Sequence, residues 1–260
     1  MDKLIGISTS RRRDDILEIL NREGRVNVAQ LTEAFHTSDT TIRYDLKAME
    51  AEGLLHRVHG GAVRRKKAYY DLSLKDRMNV NKDEKVRIAK DCASLIKDGD
   101  TLMIDSGTTT RYLARELSER GNLTVVTNAL LIAQEFVYSH SVNVILLGGN
   151  LDLQYQFAYG NETIAQMRKY RADKAIIATD GISLEHGLTT YHDQEAEVSR
   201  QMIARANEVI VAADYSKVGK EGFTNIAPIS HVNILVTNAH AEIAPELSAL
   251  RRQGIDVREA

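Results

Sequence analysis

Apolar residues follow two rhythms along the chain: helical spacing near the start, then strand-length runs alternating with helical stretches. Ile16, Ile19 and Leu20 mark a first helix that Gly24 closes, and Val28, Leu31 and Phe35 mark a shorter second one. His36-Thr37-Ser38-Asp39 supplies a turn and an N-cap. A third helix follows, with Ile42, Leu46 and Met49 at i, i+4 and i+7 on its inner side. Beyond Gly53, Leu54 to Arg64 reads as two short strands turning at Gly60-Gly61. No apolar period is sustained from Arg65 to Lys82, which predicts a connector. Helix resumes near Lys82, with Val86, Ile88, Ala89, Ala93 and Ile96, and Asp98-Gly99-Asp100 ends it.

Strand-like runs then fall at 101–105, 123–128, 142–148, 174–179, 208–214 and 232–237, with helical patterns near 109–119, 129–139, 161–170, 193–206 and 244–252. Largely apolar strands alternating with helices predict an α/β domain whose mostly parallel sheet is covered on both faces. The pattern divides the chain into a trihelical unit with a β-wing at 8–65, a connector at 66–82 and an α/β domain at 83–260.

The outer side of the third helix carries Thr40, Arg43, Tyr44 and Lys47 together. An arginine can pair bidentately with guanine, a threonine can meet a base edge or a thymine methyl, and a lysine can neutralise a phosphate; Tyr44 suits either task. Ser38 and Thr41 lie at the helix N-terminus, where free backbone N–H groups suit a phosphate, and Asp39 is placed to cap. Arg57, His59 and Arg64 make the wing basic. Three helices plus a basic wing predict a winged helix-turn-helix that binds double-stranded DNA. A scaffold or protein-interaction module would share the fold but has no need of the cationic face.

Charge agrees with that division. The chain has a formal charge of -2, yet residues 1–67 carry 13 Lys and Arg against 10 Asp and Glu. The basic groups cluster at Arg11 to Arg13 and at Arg64 to Lys67, a pattern that a solvated face beside a linker would also give. The single cysteine, Cys92, permits no internal disulfide and no multi-cysteine zinc site, and its place on a helix suits a small buried hydrophobe. Apolar runs such as 209–213 are far shorter than a membrane span, and no signal peptide is recognisable, so a cytoplasmic location is expected.

Small, hydroxyl-bearing and acidic residues gather where the strands end: Asp105-Ser106-Gly107-Thr108-Thr109-Thr110, Thr127-Asn128, Gly148-Gly149, Thr179-Asp180-Gly181 and Asp214-Tyr215-Ser216-Lys217. Each could be an ordinary βα turn. Together they predict a ligand site, because the carboxyl ends of the strands line the crevice of an open α/β sheet. The run from Ser106 to Thr110 combines a glycine, hydroxyl donors and a helix N-terminus, which suits a phosphate; it lacks the Gly-Lys-Ser/Thr ending of a P-loop. Lys217 can face the anion, while Asp180, Asp193 and Glu195 can hold sugar hydroxyls. His186 and His192 are expected to be surface polar residues.

Residues Arg12 to Arg64 resemble the DNA-binding domain of the DeoR family of bacterial regulators. The resemblance rests on the Asp14-to-Leu20 helix, Thr40-Thr41-Ile42-Arg43-x-Asp45-Leu46, Glu52-Gly53 and Arg57-x-His59-Gly60-Gly61-Ala62. Tyr44 stands where the family commonly has a second arginine. From Lys85 to Asn238 the chain resembles the sensor domain of the same family. The matching motifs are 105–110, Thr124-Val125-Val126-Thr127-Asn128, Leu147-Gly148-Gly149, Arg171-Ala172-Asp173-Lys174, Asp180-Gly181-Ile182, Gly187-Leu188-Thr189-Thr190 and Ala213-Asp214-x-Ser216-Lys217-x-Gly219. Tyr159-Gly160-Asn161 replaces a common Val-Gly-Pro, and Ser199 replaces a common lysine.

The resemblance implies a sensor fold similar to ribose-5-phosphate isomerase, and a repressor of sugar-catabolism genes relieved by a phosphorylated sugar. A single small winged helix reads too few base pairs, so a homodimer or homotetramer on a symmetric or repeated operator is expected, with no cofactor, metal or membrane partner. The expected ligand residues are Asp105, Ser106, Gly107, Thr108, Thr109, Thr110, Asn128, Gly149, Asp180, Gly181, Asp193, Glu195 and Lys217. An isomerase-like enzyme carrying a DNA-binding domain is the alternative. The isomerase pattern places a second acid three residues after the Asp-Gly aspartate and then a lysine and a glycine run; here Ser183 holds the acid position and no such run follows. A nucleoid-type DNA binder without a ligand would not need the crowded polar strand ends.

Overall fold

The computed structural model describes residues 9–23, 25–52, 54–58, 60–64 and 72–260, and the chain divides into two compact units between residues 71 and 72. No helix among the described residues is long and apolar enough to cross a membrane.

The first unit contains α1 (Thr9–Glu23), β1 (Arg25–Asn27), α2 (Val28–Ala34), α3 (Asp39–Ala51), β2 (Leu55–Val58) and β3 (Gly61–Arg64). Ile16, Leu20, Val28, Leu31, Ile42, Leu46 and Met49 form its core with Val26, Leu55 and Ala62 from the strands. The apolar spacing of all three helices therefore points inward as expected. β2 and β3 pair antiparallel, and Gly60 takes φ +80 in their turn. The three-residue β1, not foreseen, pairs antiparallel with β3 and gives the order β1-β3-β2. Its approach is so close that a Cβ on Gly61 would lie 2.0 Å from the Val26 carbonyl oxygen.

The second unit begins with α4 (Leu74–Asn79) and α5 (Lys82–Ser94). The expectation of a connector through residue 82 is corrected here. Ser73 caps α4 by accepting the Asp76 N–H at 3.2 Å, the Lys85 ammonium donates to the Arg77 carbonyl at 2.7 Å, and the Tyr112 hydroxyl donates to the Met78 carbonyl at 3.3 Å. A six-residue helix is too short to display an apolar period, and much of what it buries is the Arg77 side chain.

The remaining elements are β4 (Thr101–Ile104), α6 (Thr108–Leu117), β5 (Leu123–Thr127), α7 (Leu130–Glu135), β6 (Val142–Leu146), β7 (Asn150–Asp152), β8 (Phe157–Tyr159), α8 (Asn161–Met167), β9 (Ala172–Ile177), β10 (Gly181–Ser183), β11 (Gly187–Thr190), α9 (Asp193–Ala204), β12 (Ala206–Ala212), β13 (Thr224–Ala227), β14 (Ile234–Thr237), α10 (Ala244–Arg252) and β15 (Asp256–Glu259). Seven strands form one parallel sheet in the order β15-β14-β12-β9-β4-β5-β6. Period-two alternation sends Met103, Val126, Ile177, Val211 and Leu235 to one face, against α8, α9 and α10. Leu102, Ile104, Val125, Ile176, Ile210 and Val236 go to the other, against α5, α6 and α7. Both faces are covered, so the strands read as continuous apolar runs.

From β4 the chain steps outward to β5 and β6, then returns to the opposite side of β4 with β9 and continues outward to β15. The order reverses between β4 and β9, and the carboxyl ends of these two strands are where such a sheet opens a crevice. Two small antiparallel pieces, β7-β8 and β10-β11-β13, were not legible as strands in the sequence.

Candidate functional site

In the first unit, α3 presents Thr40, Arg43, Tyr44 and Lys47 to solvent, with Tyr44 68% exposed. Its N-terminus is built by Ser38, whose hydroxyl accepts the Thr41 N–H at 3.1 Å and lies 2.8 Å from the Thr41 hydroxyl. Ser38 and Thr41 thus hold each other at the cap. Arg43 is engaged by Asp39 one turn earlier, Nε donating to Oδ1 at 2.5 Å and Nη2 to Oδ2 at 3.3 Å. Both partners are exposed, so this pair is exchangeable. Arg57 is exposed on β2, with its main-chain N–H held by Glu50 at 2.8 Å. His59 and the Arg64 side chain lie outside the described residues.

Arg12 and Arg13 have a structural task instead. Arg12 Nε donates to Asp45 Oδ2 at 2.6 Å and Arg13 Nε to Oδ1 at 3.0 Å, and Asp45 is fully buried. One carboxylate on α3 thereby ties down two arginines of α1, which accounts for the Asp45 in the α3 motif.

In the second unit the carboxyl ends of the strands hold a dense polar cluster. Asp105, at the end of β4, is buried; Oδ2 accepts the Ala178 N–H at 2.7 Å, and Oδ1 accepts the Gly107 N–H at 3.2 Å and lies 3.1 Å from the Thr110 hydroxyl. Gly107 sits so close to the end of β9 that a Cβ on it would stand 2.2 Å from that of Ala178. Close packing of the β4 end against the β9 end is therefore enough to require glycine at this position. Thr108 and Thr109 are buried in the first turn of α6, which contains no acid.

Asp180, just past β9, is the hub. Its Oδ1 lies 3.8 Å from Arg77 Nη1 and 3.8 Å from Lys217 Nζ, and Oδ2 lies 3.1 Å from the Thr190 hydroxyl. That hydroxyl is also 2.7 Å from Glu195 Oε2. It has one proton, so a protonated Glu195 can donate to Thr190 while Thr190 donates to Asp180. Burial, then the Asp180 charge, pushes Glu195 up to about 7; burial, then Glu195, pushes Asp105 up to about 8. Burial pulls Lys85 down to about 8 against the Asp214 charge, and pulls Lys217 down to about 8 against that of Asp180. Asp214 accepts from Asn81 at 2.8 Å and from the Ser216 hydroxyl at 2.5 Å. The Tyr155 ring, from the β7-β8 turn, lies 4.7 Å from the Arg77 guanidinium and 4.7 Å from the His192 ring.

The structure brings Asp180, Glu195 and Lys217 together, and stations Asp105, Ser106, Gly107, Thr108, Thr109 and Thr110 at the adjoining end of β4. Gly181 pairs with Thr189 in the β10-β11 ladder. Asn128 is buried at the end of β5, donating to the Ala158 carbonyl at 2.7 Å, with its Oδ1 left without a partner among the described residues. Gly149 is exposed and packs back on Tyr159 and Thr163. Asp193 is not part of the cluster; it is exposed and accepts from the Thr224 hydroxyl.

Sequence reasoning missed Arg77, Lys85, Tyr155 and His192. Arg77 fell in the supposed connector, Lys85 looked like a polar helix position, and Tyr155 stands in a loop. His192, expected at the surface, is half-buried and its Nε2 has no partner among the described residues; burial, then Arg77, lowers its pKa. His186 is exposed as expected. Ser183, at the position where an isomerase would carry an acid, accepts the His186 N–H at 3.0 Å inside the β10-β11 turn.

A family model described as the DeoR-like helix-turn-helix domain matches residues 12–68, and one described as the DeoR C terminal sensor domain matches residues 80–239. The chain is 34% identical to the HTH-type transcriptional repressor GlcR of Bacillus subtilis, over 86% of each chain. It is 34% identical to the transcriptional repressor AccR of Agrobacterium fabrum, over 89% of this chain and 90% of that one. A solved ribose 5-phosphate isomerase A from Methanocaldococcus jannaschii aligns over 53% of this chain and 55% of its own, with 19% identity and a TM-score of 0.41.

Proposed function

Because the chain belongs to the DeoR family of transcriptional regulators, with its helix-turn-helix and sensor domains, we propose that it represses sugar-metabolism genes until a phosphorylated sugar enters the sensor domain. The single observation that carries this reading is the cluster around Asp180. Two cationic side chains, Arg77 and Lys217, share one carboxylate at 3.8 Å, beside the acid-free N-terminus of α6. A phosphate is an alternative partner for both cations and for the α6 backbone N–H groups. Asp180, Thr190 and Glu195 offer acceptors and a donor to sugar hydroxyls, and Tyr155 and His192 offer flat apolar surface to a sugar ring. One relative, the glycerol-3-phosphate regulon repressor of Escherichia coli at 32% identity, is named for a phosphorylated polyol, which agrees with a phosphate-bearing ligand.

DNA contact is assigned to Thr40, Arg43, Tyr44, Lys47 and Arg57, with His59 and Arg64 in the wing and with Ser38 and Thr41 shaping the α3 N-terminus. One such unit reads too few base pairs for a specific site, so two or more copies acting on repeated half-sites are required. Ligand binding would favour one arrangement of paired sensors over another and so change the match to DNA.

The test is thermal stabilisation of the full chain across a panel of sugar phosphates and the matching unphosphorylated sugars, then operator binding with any hit. A shift for one phosphosugar, none for its parent sugar, and a change in DNA affinity are expected. A shift for the neutral sugars alone would overturn the phosphate assignment.

A further inference from the structure

The two edges of the seven-stranded sheet differ in how they are defended. At one edge, β15 carries Asp256, Arg258 and Glu259, with Arg258 Nε on Asp256 at 3.1 Å and Arg251 on Glu259 at 2.5 Å. Charges of this kind keep an edge strand from pairing with another chain. At the other edge, β6 reads Val142-Asn143-Val144-Ile145-Leu146, has no charged residue and, among the described residues, pairs on one side only, with β5.

The lack of charge extends well beyond the strand. From residue 121 to residue 167 there is no lysine or arginine, and the acids are Glu135, Asp152 and Glu162, in a chain that is 27% charged. Two of those acids are occupied: Glu135 receives Arg111 at 2.7 Å, and Asp152 accepts the Tyr155 N–H at 2.7 Å in the hairpin. Apolar exposure is concentrated on the same stretch. Of the large apolar side chains exposed in the second unit, Val137, Tyr138, Leu146, Leu151 and Leu153 lie on it, and Leu184 and Phe223 lie elsewhere. Tyr138 is 91% and Leu153 81% exposed, one before β6 and one after it.

We infer that the β6 edge, flanked by Val137 and Tyr138 on one side and the β7-β8 hairpin on the other, is the surface on which a second copy of this chain docks about a two-fold axis. A two-fold contact sets a surface against itself, so any charge near the axis meets its own like; β6 carries no charge and the stretch around it has no lysine or arginine, which is the kind of edge that tolerates this. Depletion of charge with exposed tyrosine and leucine is also the composition of an interface core. Antiparallel pairing of β6 with its symmetry mate would satisfy the edge main-chain groups and join two seven-stranded sheets into one. The β15 edge, with acids and arginines interleaved, is not the docking edge.

The experiment is the mass of the full chain in solution, by light scattering or sedimentation at micromolar concentration, without DNA or ligand, so that its outcome is independent of the effector assignment. The wild type is expected as a dimer or a multiple of one. Tyr138→Glu and Leu153→Glu, each tested alone because both side chains stand in solvent and neither supports the core, are expected to halve that mass. Phe223→Glu, 84% exposed and away from this edge, is expected to leave it unchanged. A monomeric wild type would overturn the inference, as would unchanged mass in both edge variants, the result expected if the DNA-binding unit of the same chain or a different protein covers β6. Equal dissociation by Phe223→Glu would also overturn it.

Discussion

Asp105 and Ala178 are joined across the point where the strand order reverses: the Asp105 carboxylate ends β4 and accepts the Ala178 N–H, just past β9, at 2.7 Å. The bond has no counterpart in the sheet ladder and fixes the spacing of the crevice. Asp105→Ala would remove the acceptor of the half-buried Ala178 and Gly107 N–H groups, so it should lower unfolding stability by about 1–3 kcal/mol, read from the urea midpoint. Gly107→Ala should cost at least as much, since its methyl would collide with Ala178. Unchanged midpoints in both would mean that the crevice is held by other contacts.

The inner strands and helices that carry this arrangement were legible because the sheet is covered on both faces and those strands are largely apolar runs, whereas β15, with Asp256, Arg258 and Glu259, has no such run and was not foreseen. The site was legible where it lies at strand ends, as with Asp105, Asp180 and Lys217. It was not legible where a long side chain reaches in from another element. Arg77 is presented by a six-residue helix, and Lys85 looks amphipathic on α5 although it is fully buried with its ammonium on a carbonyl. Period and spacing report which face a residue occupies, not how far its side chain extends. β7, β8, β10, β11 and β13 have three or four residues each, too few to show an alternation.

Asp45 illustrates the opposite error, in which charge was visible but its target was not. The arginine run at the start of α1 suggested an outward basic face, yet Arg12 and Arg13 converge on Asp45. Asp45→Ala should destabilise the helix-turn-helix unit by on the order of 3 kcal/mol, because two guanidinium groups lose one buried partner. Operator binding should fall while the melting of the sensor unit stays put, a separation that calorimetry of the full chain resolves.

Arg43 is held by Asp39 in the free protein, so reading a base requires that pair to open. Arg43→Ala should cost about 1–3 kcal/mol on the preferred operator and flatten sequence preference. Lys47→Ala should weaken all sequences alike and reduce the salt dependence. Asp39→Asn should tighten DNA binding overall, by freeing Arg43 and removing an acid from the phosphate surface. Fluorescence anisotropy on operator and scrambled duplexes distinguishes the three patterns.

The effector response should be separable from DNA binding. Lys217→Met and Thr108→Val both alter the end of the crevice proposed to take the phosphate, and neither residue lies in the first unit. Each should retain operator affinity and lose at least tenfold in the ligand concentration needed to change it, equivalent to about 1.4 kcal/mol. A fall in operator affinity accompanied by a lower melting temperature would assign these residues to the fold instead.

The same cluster makes stability depend on pH in a defined sense. Glu195 is raised from 4.5 to about 7 and Asp105 from 3.8 to about 8, so the folded state holds protons that the unfolded chain has released. Their contribution is full below the unfolded values and is lost as pH rises through about 7 and about 8. Lys85 and Lys217 are lowered from 10.5 to about 8, so theirs is full above 10.5 and is lost as pH falls through about 8. The two pairs act in opposite senses and meet near pH 8, where this cluster contributes least. Urea midpoints should therefore fall from about pH 5 toward pH 8 and recover above it. Glu195→Gln, which cannot release the proton, should make the descending limb shallower by at most about 1.4 kcal/mol per pH unit between its unfolded and folded values. A wild-type midpoint that climbs steadily from pH 5 to pH 8 would show that these acids are already ionised in the folded protein. Asp180 would then face a charged Glu195 across Thr190, and the hydroxyl could donate to only one of them.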